Sequence, residues 1–92
     1  MKGYQIIIEN VNNDSPCVSA GDIVYINIEK AKEAYSVAVD AIMNDSHLWI
    51  KHTIDNYPQH LITEKTDYGV TFSDYMSDNK LTIYINEVNI IY

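Results

Sequence analysis

Residues 28–43, IEKAKEAYSVAVDAIM, decide the fold. Ile28, Ala31, Tyr35, Ala38 and Ile42 recur at three- and four-residue spacing with Ala34 and Val39 beside them, while Lys30, Lys32, Glu33, Ser36 and Asp40 fall on the other side. That periodicity predicts an amphipathic helix. Asn27 suits the N-cap, because its side chain accepts from a backbone N–H that the first turn leaves free, and Glu29 complements the positive end of the helix dipole. Asn44-Asp45-Ser46 ends the run. The alanines on the inner side permit a close approach to a sheet, which suits a helix laid across a sheet better than a bundle.

Strand patterns flank this helix. Tyr4 to Val11 alternates Tyr4, Ile6 and Ile8 against Gln5, Ile7 and Glu9. Asn12-Asn13-Asp14-Ser15-Pro16 then stops it, because Pro has no N–H to give a ladder and Asn and Asp favour turns. After a loop, Asp22 to Asn27 is rich in β-formers and is expected to pair antiparallel with the first strand. Beyond the helix, His47 to Ile54 alternates Leu48, Ile50, His52 and Ile54 against His47, Trp49, Lys51 and Thr53, a third strand. Asp55 to Thr66 is less periodic: Tyr57-Pro58 breaks the pattern, and His60-Leu61-Ile62-Thr63 reads either as a short strand or as a turn of helix. Tyr68 to Asp74 and Leu81 to Ile91 form a hairpin through the turn residues Ser77-Asp78-Asn79. In its second arm the apolar phase moves from Leu81, Ile83 and Ile85 to Val88 and Ile90, which a bulge near Asn86-Glu87 would explain. The expected fold is one α+β domain spanning residues 1–92: a mainly antiparallel sheet of four to six strands with one amphipathic helix on one face, in the order β-β-α-β-β-β.

A chain of 92 residues holds one core and leaves little apolar area for an enclosed ligand cavity, so a binding site is expected on the outside. The net charge is −7, and all six basic residues are lysines. Arginine supplies the planar fork that grips phosphates, so its absence and the acidic balance argue against direct nucleic-acid or anionic-membrane binding. They favour attraction to basic protein surfaces. Cys17 is the sole cysteine, which excludes an intrachain disulfide and fits a reducing compartment. The run Ile6-Ile7-Ile8 is cut by Glu9 before it could form a signal-peptide core, and no stretch approaches the ~20 apolar residues that span a bilayer. The expected location is the cytoplasm, of the cell that makes the chain or of one that it enters genetically.

Few residues offer catalytic chemistry. His47 and His52 are an odd number of positions apart, so on a strand they point to opposite faces and cannot share an ion; neither they nor His60 and Cys17 show a metal-ligand spacing. Cys17 lies between Pro16 and Val18 without the signature of a thiol nucleophile. Paired carboxylates would need a cleft to separate their pKa values. Gly3, Gly21 and Gly69 form no phosphate cradle. The chain is expected to be no enzyme and to hold no cofactor or metal. What stands out is tyrosine with acid: Asp67-Tyr68, Asp74-Tyr75 and Asp78 in one hairpin, within a chain of eight tyrosines and one Phe. Tyrosine is a common interface anchor, since its ring buries a large area at low entropic cost while its hydroxyl keeps a partner. The plain alternative is that strands favour tyrosine and loops are acidic. Exposure separates the two readings.

From Met1-Lys2-Gly3-Tyr4 through Ile28-Glu29-Lys30-Ala31-Lys32-Glu33-Ala34 the layout resembles small accessory proteins of phages and mobile elements, among them anti-CRISPR proteins that curl an antiparallel sheet around one helix. The resemblance covers about the first half of the chain and carries no motif, so no residue role transfers. It implies a phage-type inhibitor of a bacterial defence complex, with a Cas protein or effector complex as partner and carboxylates acting as a nucleic-acid mimic. The residues expected to meet a basic partner are Asp67, Tyr68, Asp74, Tyr75 and Asp78. Two other classes stay open: a homo-oligomeric assembly protein, a homodimer paired through Val88, Ile90, Ile91 and Tyr92, and a small-ligand sequestering protein.

Overall fold

A computed structural model describes residues 1–12, 15–20 and 23–91, with side chains for 1–11 and 23–91. The strands β1 (Lys2–Asn12), β2 (Ser15–Ala20), β3 (Leu61–Lys65), β4 (Gly69–Asp74) and β5 (Lys80–Asn89) form one sheet in the order β2-β1-β5-β4-β3, antiparallel throughout. Helices α1 (Ile28–Met43) and α2 (Trp49–Asn56) pack on one face, and a 3-10 turn, Pro58–His60, leads into β3. The α+β class and the antiparallel sheet are as the sequence implies. Among the described residues no helix is long and apolar enough to cross a membrane.

α1 keeps the expected bounds. Asn27 Oδ1 accepts from the Glu29 N–H at 2.8 Å, and Ala31 and Ile42 are buried while Val37 is 69% exposed. Asn27→Ala removes that cap and should cost about 1 kcal/mol, read as a lower urea midpoint at unchanged slope. An unchanged midpoint would show that the cap contributes nothing here.

Beneath the helices the registers put Ile6 and Ile8 of β1, Leu81, Ile83 and Ile85 of β5, and Val70 and Phe72 of β4 on one face. Phe72, Ile50, Leu81 and Ile83 are the largest fully buried side chains. The opposite face carries polar pairs, with the Thr71 and Thr82 hydroxyls hydrogen-bonded at 3.1 Å and the Tyr84 hydroxyl donating to Glu9 Oε1 at 3.1 Å, beside the buried Ile7. Gly69 pairs with Tyr84, and a Cβ there would lie 2.8 Å from the Tyr84 Cβ, so glycine permits this cross-strand approach.

Burial, the Glu9 hydrogen bond and the Glu9 charge all raise the Tyr84 pKa. The folded chain then holds that proton more tightly than the unfolded chain. The contribution to stability is complete below the ordinary phenol value of about 10 and is lost as pH rises through the raised folded value. Tyr84→Phe should flatten the loss of stability above pH ~10. Tyr35, whose pKa is raised by burial, supplies the remainder. Superimposable alkaline profiles for the two chains would contradict this.

Five expectations are corrected. The second strand is Ser15–Ala20, not 22–27: β1 pairs with these small and polar residues, Ile23 and Ile26 stay exposed, and only Tyr25 makes an isolated bridge to Tyr4. Pro16 and Cys17 therefore lie in an edge strand, where a missing N–H is tolerated, and not in a loop. Residues 13, 14, 21, 22 and 92, on which the expected stop, strand start and C-terminal contact partly rest, lie outside the described residues.

His47–Ile54 is not a strand, because 49–56 form α2. Trp49, Ile50, Thr53 and Ile54 share a helical face, Ile50 and Thr53 are buried, and Trp49 Nε1 donates to Asn10 Oδ1 at 3.4 Å. No bulge interrupts β5: its register with β1 runs unbroken from Lys80 to Asn89. The change of phase is a change of face, since Val88 and Ile90 turn to the other side, where Ile90 and Val24 both lie over Gly3. Nor is β5 an edge. It lies between β1 and β4, and the edges are β2 and β3.

Candidate functional site

The five residues expected to face a partner do not share one surface. Asp67 and Tyr68 occupy the turn before β4; Asp74 ends the strand, and Tyr75 and Asp78 lie in the turn after it. Six residues of strand separate them by roughly 17 Å. This corrects the expectation of a single cluster: both turns belong to β4, but a strand presents its turns at opposite ends of the sheet.

At the far end a row of rings assembles around Tyr75. Tyr57 and His60 stack with centroids 5.2 Å apart and planes 7° from parallel; His60 meets Tyr75 edge-on at 5.1 Å; His52 meets Tyr57 edge-on at 6.2 Å. The backbone explains the row. Tyr57-Pro58 breaks α2, since the residue before proline avoids helical geometry, and Pro58 begins a 3-10 turn whose three-residue repeat places Tyr57 above His60. The Tyr75 N–H donates to the His60 carbonyl at 3.1 Å, binding this turn to the turn after β4. That second turn is held by Asp74, whose Oδ1 accepts from the Met76 N–H at 2.9 Å. Asn56 Nδ2 lies 3.1 Å from His52 Nδ1 and also donates to the His52 carbonyl.

The row is open to solvent. Tyr57 is 50% exposed, Tyr75 58% and Met76 64%, and Asp78 is exposed in the same turn. Lys51, the cation on α2, is paired with Asp55 at 3.4 Å. Among the described residues, Glu9, Asp40, Asp45, Glu64, Asp67, Asp74 and Asp78 have no lysine partner; Lys2, Lys30, Lys32 and Lys51 are each paired with a carboxylate, and Lys65 and Lys80, the latter opposite Ser73, have none. Carboxylates without a lysine therefore outnumber lysines without a carboxylate. α1 adds to this surplus by ending without a basic residue in its last turn, so its negative dipole end is not offset there.

Tyr68 stands differently. It is 52% exposed at the other end of the sheet, with the Lys32 ammonium 5.8 Å from its ring centroid. A groove of about 530 Å³ lies between α1 and the β3–β4 side of the sheet, with Tyr35, Val39, Met43, Val70 and Phe72 among its walls.

Tyr75, Asp74 and Asp78 were legible as residue types; His52, Tyr57 and His60 were not. The three-residue spacing of Tyr57 and His60 across Pro58 was the available signal. His47 is exposed and apart from the row, and His52 now sits on a helix, so the opposite-face argument for a strand does not apply. Among the described residues no three His, Cys, Asp or Glu side chains converge on one point. No protein-family model, curated protein or solved structure matches this chain.

Proposed function

We propose that the protein is a non-enzymatic binding protein whose aromatic end, Tyr57, His60, Tyr75 and Met76 with Asp74 and Asp78, docks on a lysine- and arginine-bearing surface of another protein. The supporting observation is the ordered, half-exposed ring row beside carboxylates that have no lysine of their own. Guanidinium and ammonium groups gain from tyrosine faces and from carboxylates together, and aromatic anchors carry much of the energy of protein interfaces. The same groups suit a surface that otherwise holds nucleic-acid phosphates, with Asp74 and Asp78 in their place.

The sequence layout extends this reading to a phage-type inhibitor of a bacterial defence complex, acting in the host cytoplasm on a Cas protein or effector assembly. A plasmid-interference assay tests that extension. Expression of the chain in a bacterium with an active CRISPR system should restore plasmid retention; retention at the level of the empty vector across several system types would remove it. The rival reading, a homo-oligomeric assembly protein, calls for sedimentation of the purified chain, where an oligomer stable at low concentration would favour the rival.

A further inference from the structure

β3 is an edge of the sheet, and its register shows which backbone groups face outward. The His60 carbonyl accepts from the Tyr75 N–H at 3.1 Å, and the Thr66 N–H donates to the Gly69 carbonyl at 2.9 Å. These two pairs bracket β3 in one antiparallel ladder, where residues bonded to the neighbour alternate with residues turned away from it. Ile62 and Glu64 therefore turn their N–H and C=O toward β4, while Leu61, Thr63 and Lys65 turn theirs outward. The Leu61 N–H returns to the Pro58 carbonyl, which leaves the N–H groups of Thr63 and Lys65 as the outward donors. Among the described residues no strand meets them, and Ile62 to Lys65 are all exposed.

The two faces of this edge differ in charge. Thr63 and Lys65 share one face with the groove of about 530 Å³, where Asp40 and Lys65 offset each other and Val39, Met43, Val70 and Phe72 are apolar. On the other face Glu64 has no lysine partner, and neither has Asp67 in the turn beyond. Lys80, on Glu64's face, lies two strands away opposite Ser73. We propose that β3 takes an extended segment of a protein partner as a further strand, with apolar side chains on the groove face and lysine or arginine on the Glu64 face. The open ladder selects an extended backbone, and the unmatched carboxylates select its cations. A second copy of the chain fits less well, because it brings a further charge of −7. The inference rests on the basic-partner reading above and gives that partner a continuous path, since the edge begins next to His60 of the ring row.

The probe is the peptide acetyl-Lys-Val-Lys-Val-Lys-Val-amide, titrated into the isotopically labelled full chain at constant ionic strength and followed by NMR. Saturable amide shifts and slowed hydrogen exchange are expected at Thr63 and Lys65, with little change at Ile62 and Glu64 and an affinity on the order of millimolar. Methylating the valine nitrogens of the peptide should abolish binding, and glutamate in place of its lysines should weaken it at least about fivefold. Thr63→Pro, whose lost N–H faces outward and spares the bonds to β4, should also abolish binding, while Thr63→Ala retains it. Should Thr63→Pro unfold the chain, the methylated peptide tests the same bonds on the unaltered protein. Shifts that do not saturate, that are as large at Ile62 and Glu64, or that survive methylation of the peptide would overturn the proposal. So would Thr63 and Lys65 amides already protected in the chain alone together with a dimer in sedimentation, which would give the edge to a second copy. A negative result removes the edge alone, whereas partner binding unchanged by Asp74→Lys with Asp78→Lys removes the Tyr75 surface alone.

Discussion

Phe72→Ala should lower the stability of the domain by about 3–5 kcal/mol, the usual cost of deleting a buried aromatic ring and leaving its cavity. Phe72 is 2% exposed in β4, in one cluster with Ile42, Ile50, Val70, Leu81 and Ile83, so the ring joins both helices to the sheet. A domain of this size has a total stability of roughly 5–15 kcal/mol and belongs toward the lower end, because small chains bury a smaller share of their surface. The loss is then a large part of the whole. Urea unfolding followed by circular dichroism should show a markedly lower midpoint, while Val37→Ser on the exposed side of α1 should change stability by no more than about 0.5 kcal/mol. A loss below about 1 kcal/mol for Phe72→Ala would place the core elsewhere.

The largest effect on binding is expected from Asp74→Lys combined with Asp78→Lys. The change reverses both carboxylates of the turn that carries Tyr75, and a cationic partner then meets like charge where it met opposite charge. Affinity should fall at least about tenfold, with much of the change in the association rate and in its salt dependence. The domain should remain folded. Asp78 is exposed, and the hydrogen bond from the Met76 N–H to Asp74 that is lost lies in an exposed turn, worth about 1 kcal/mol at most. Placing the same charge change on the outer face of α1, as Glu29→Lys with Glu33→Lys, should weaken binding far less, because those carboxylates already neutralise Lys32 and Lys30.

Where one local signal sufficed, the sequence was a reliable guide. The three- and four-residue apolar spacing of 28–43, capped by Asn27, specifies α1 without help from the rest of the chain, and the alternation in 4–11, in 68–74 and, up to its change of phase near 86–87, in 81–91 points to β1, β4 and β5. Residues 49–56 satisfy two periods at once. Leu48, Ile50, His52 and Ile54 alternate, yet Trp49, Ile50, Thr53 and Ile54 also lie on one helical face. The helix prevails because Asp45 turns the chain, accepting from the His47 N–H at 2.9 Å, and because Ile50 then enters the core completely. Over a stretch of eight residues, packing and not local preference decides between the two.

At 15–20 and 23–27 the conflict is between propensity and pairing. Ile23, Val24 and Ile26 are the better strand formers, but β1 takes Ser15–Ala20 as its antiparallel neighbour, with Ser15 opposite Asn12. The partner surface was half legible for a similar reason. Tyrosine and aspartate around β4 could be seen as types, but their separation by a whole strand, and the joining of Tyr75 to His60 and Tyr57, arise from the 3-10 turn at Pro58 and from contacts between distant segments.

Everything functional proposed for this chain depends on the aromatic, carboxylate-rich end around Tyr75 meeting a basic protein surface. The direct measurement is affinity capture from a bacterial lysate containing defence systems, with the wild-type chain and the Asp74→Lys, Asp78→Lys chain as parallel baits and quantitative mass spectrometry as readout. A protein with a basic surface should be retained by the first bait and depleted on the second. Equal retention of the same proteins by both baits, or specific retention of acidic proteins alone, would contradict the account.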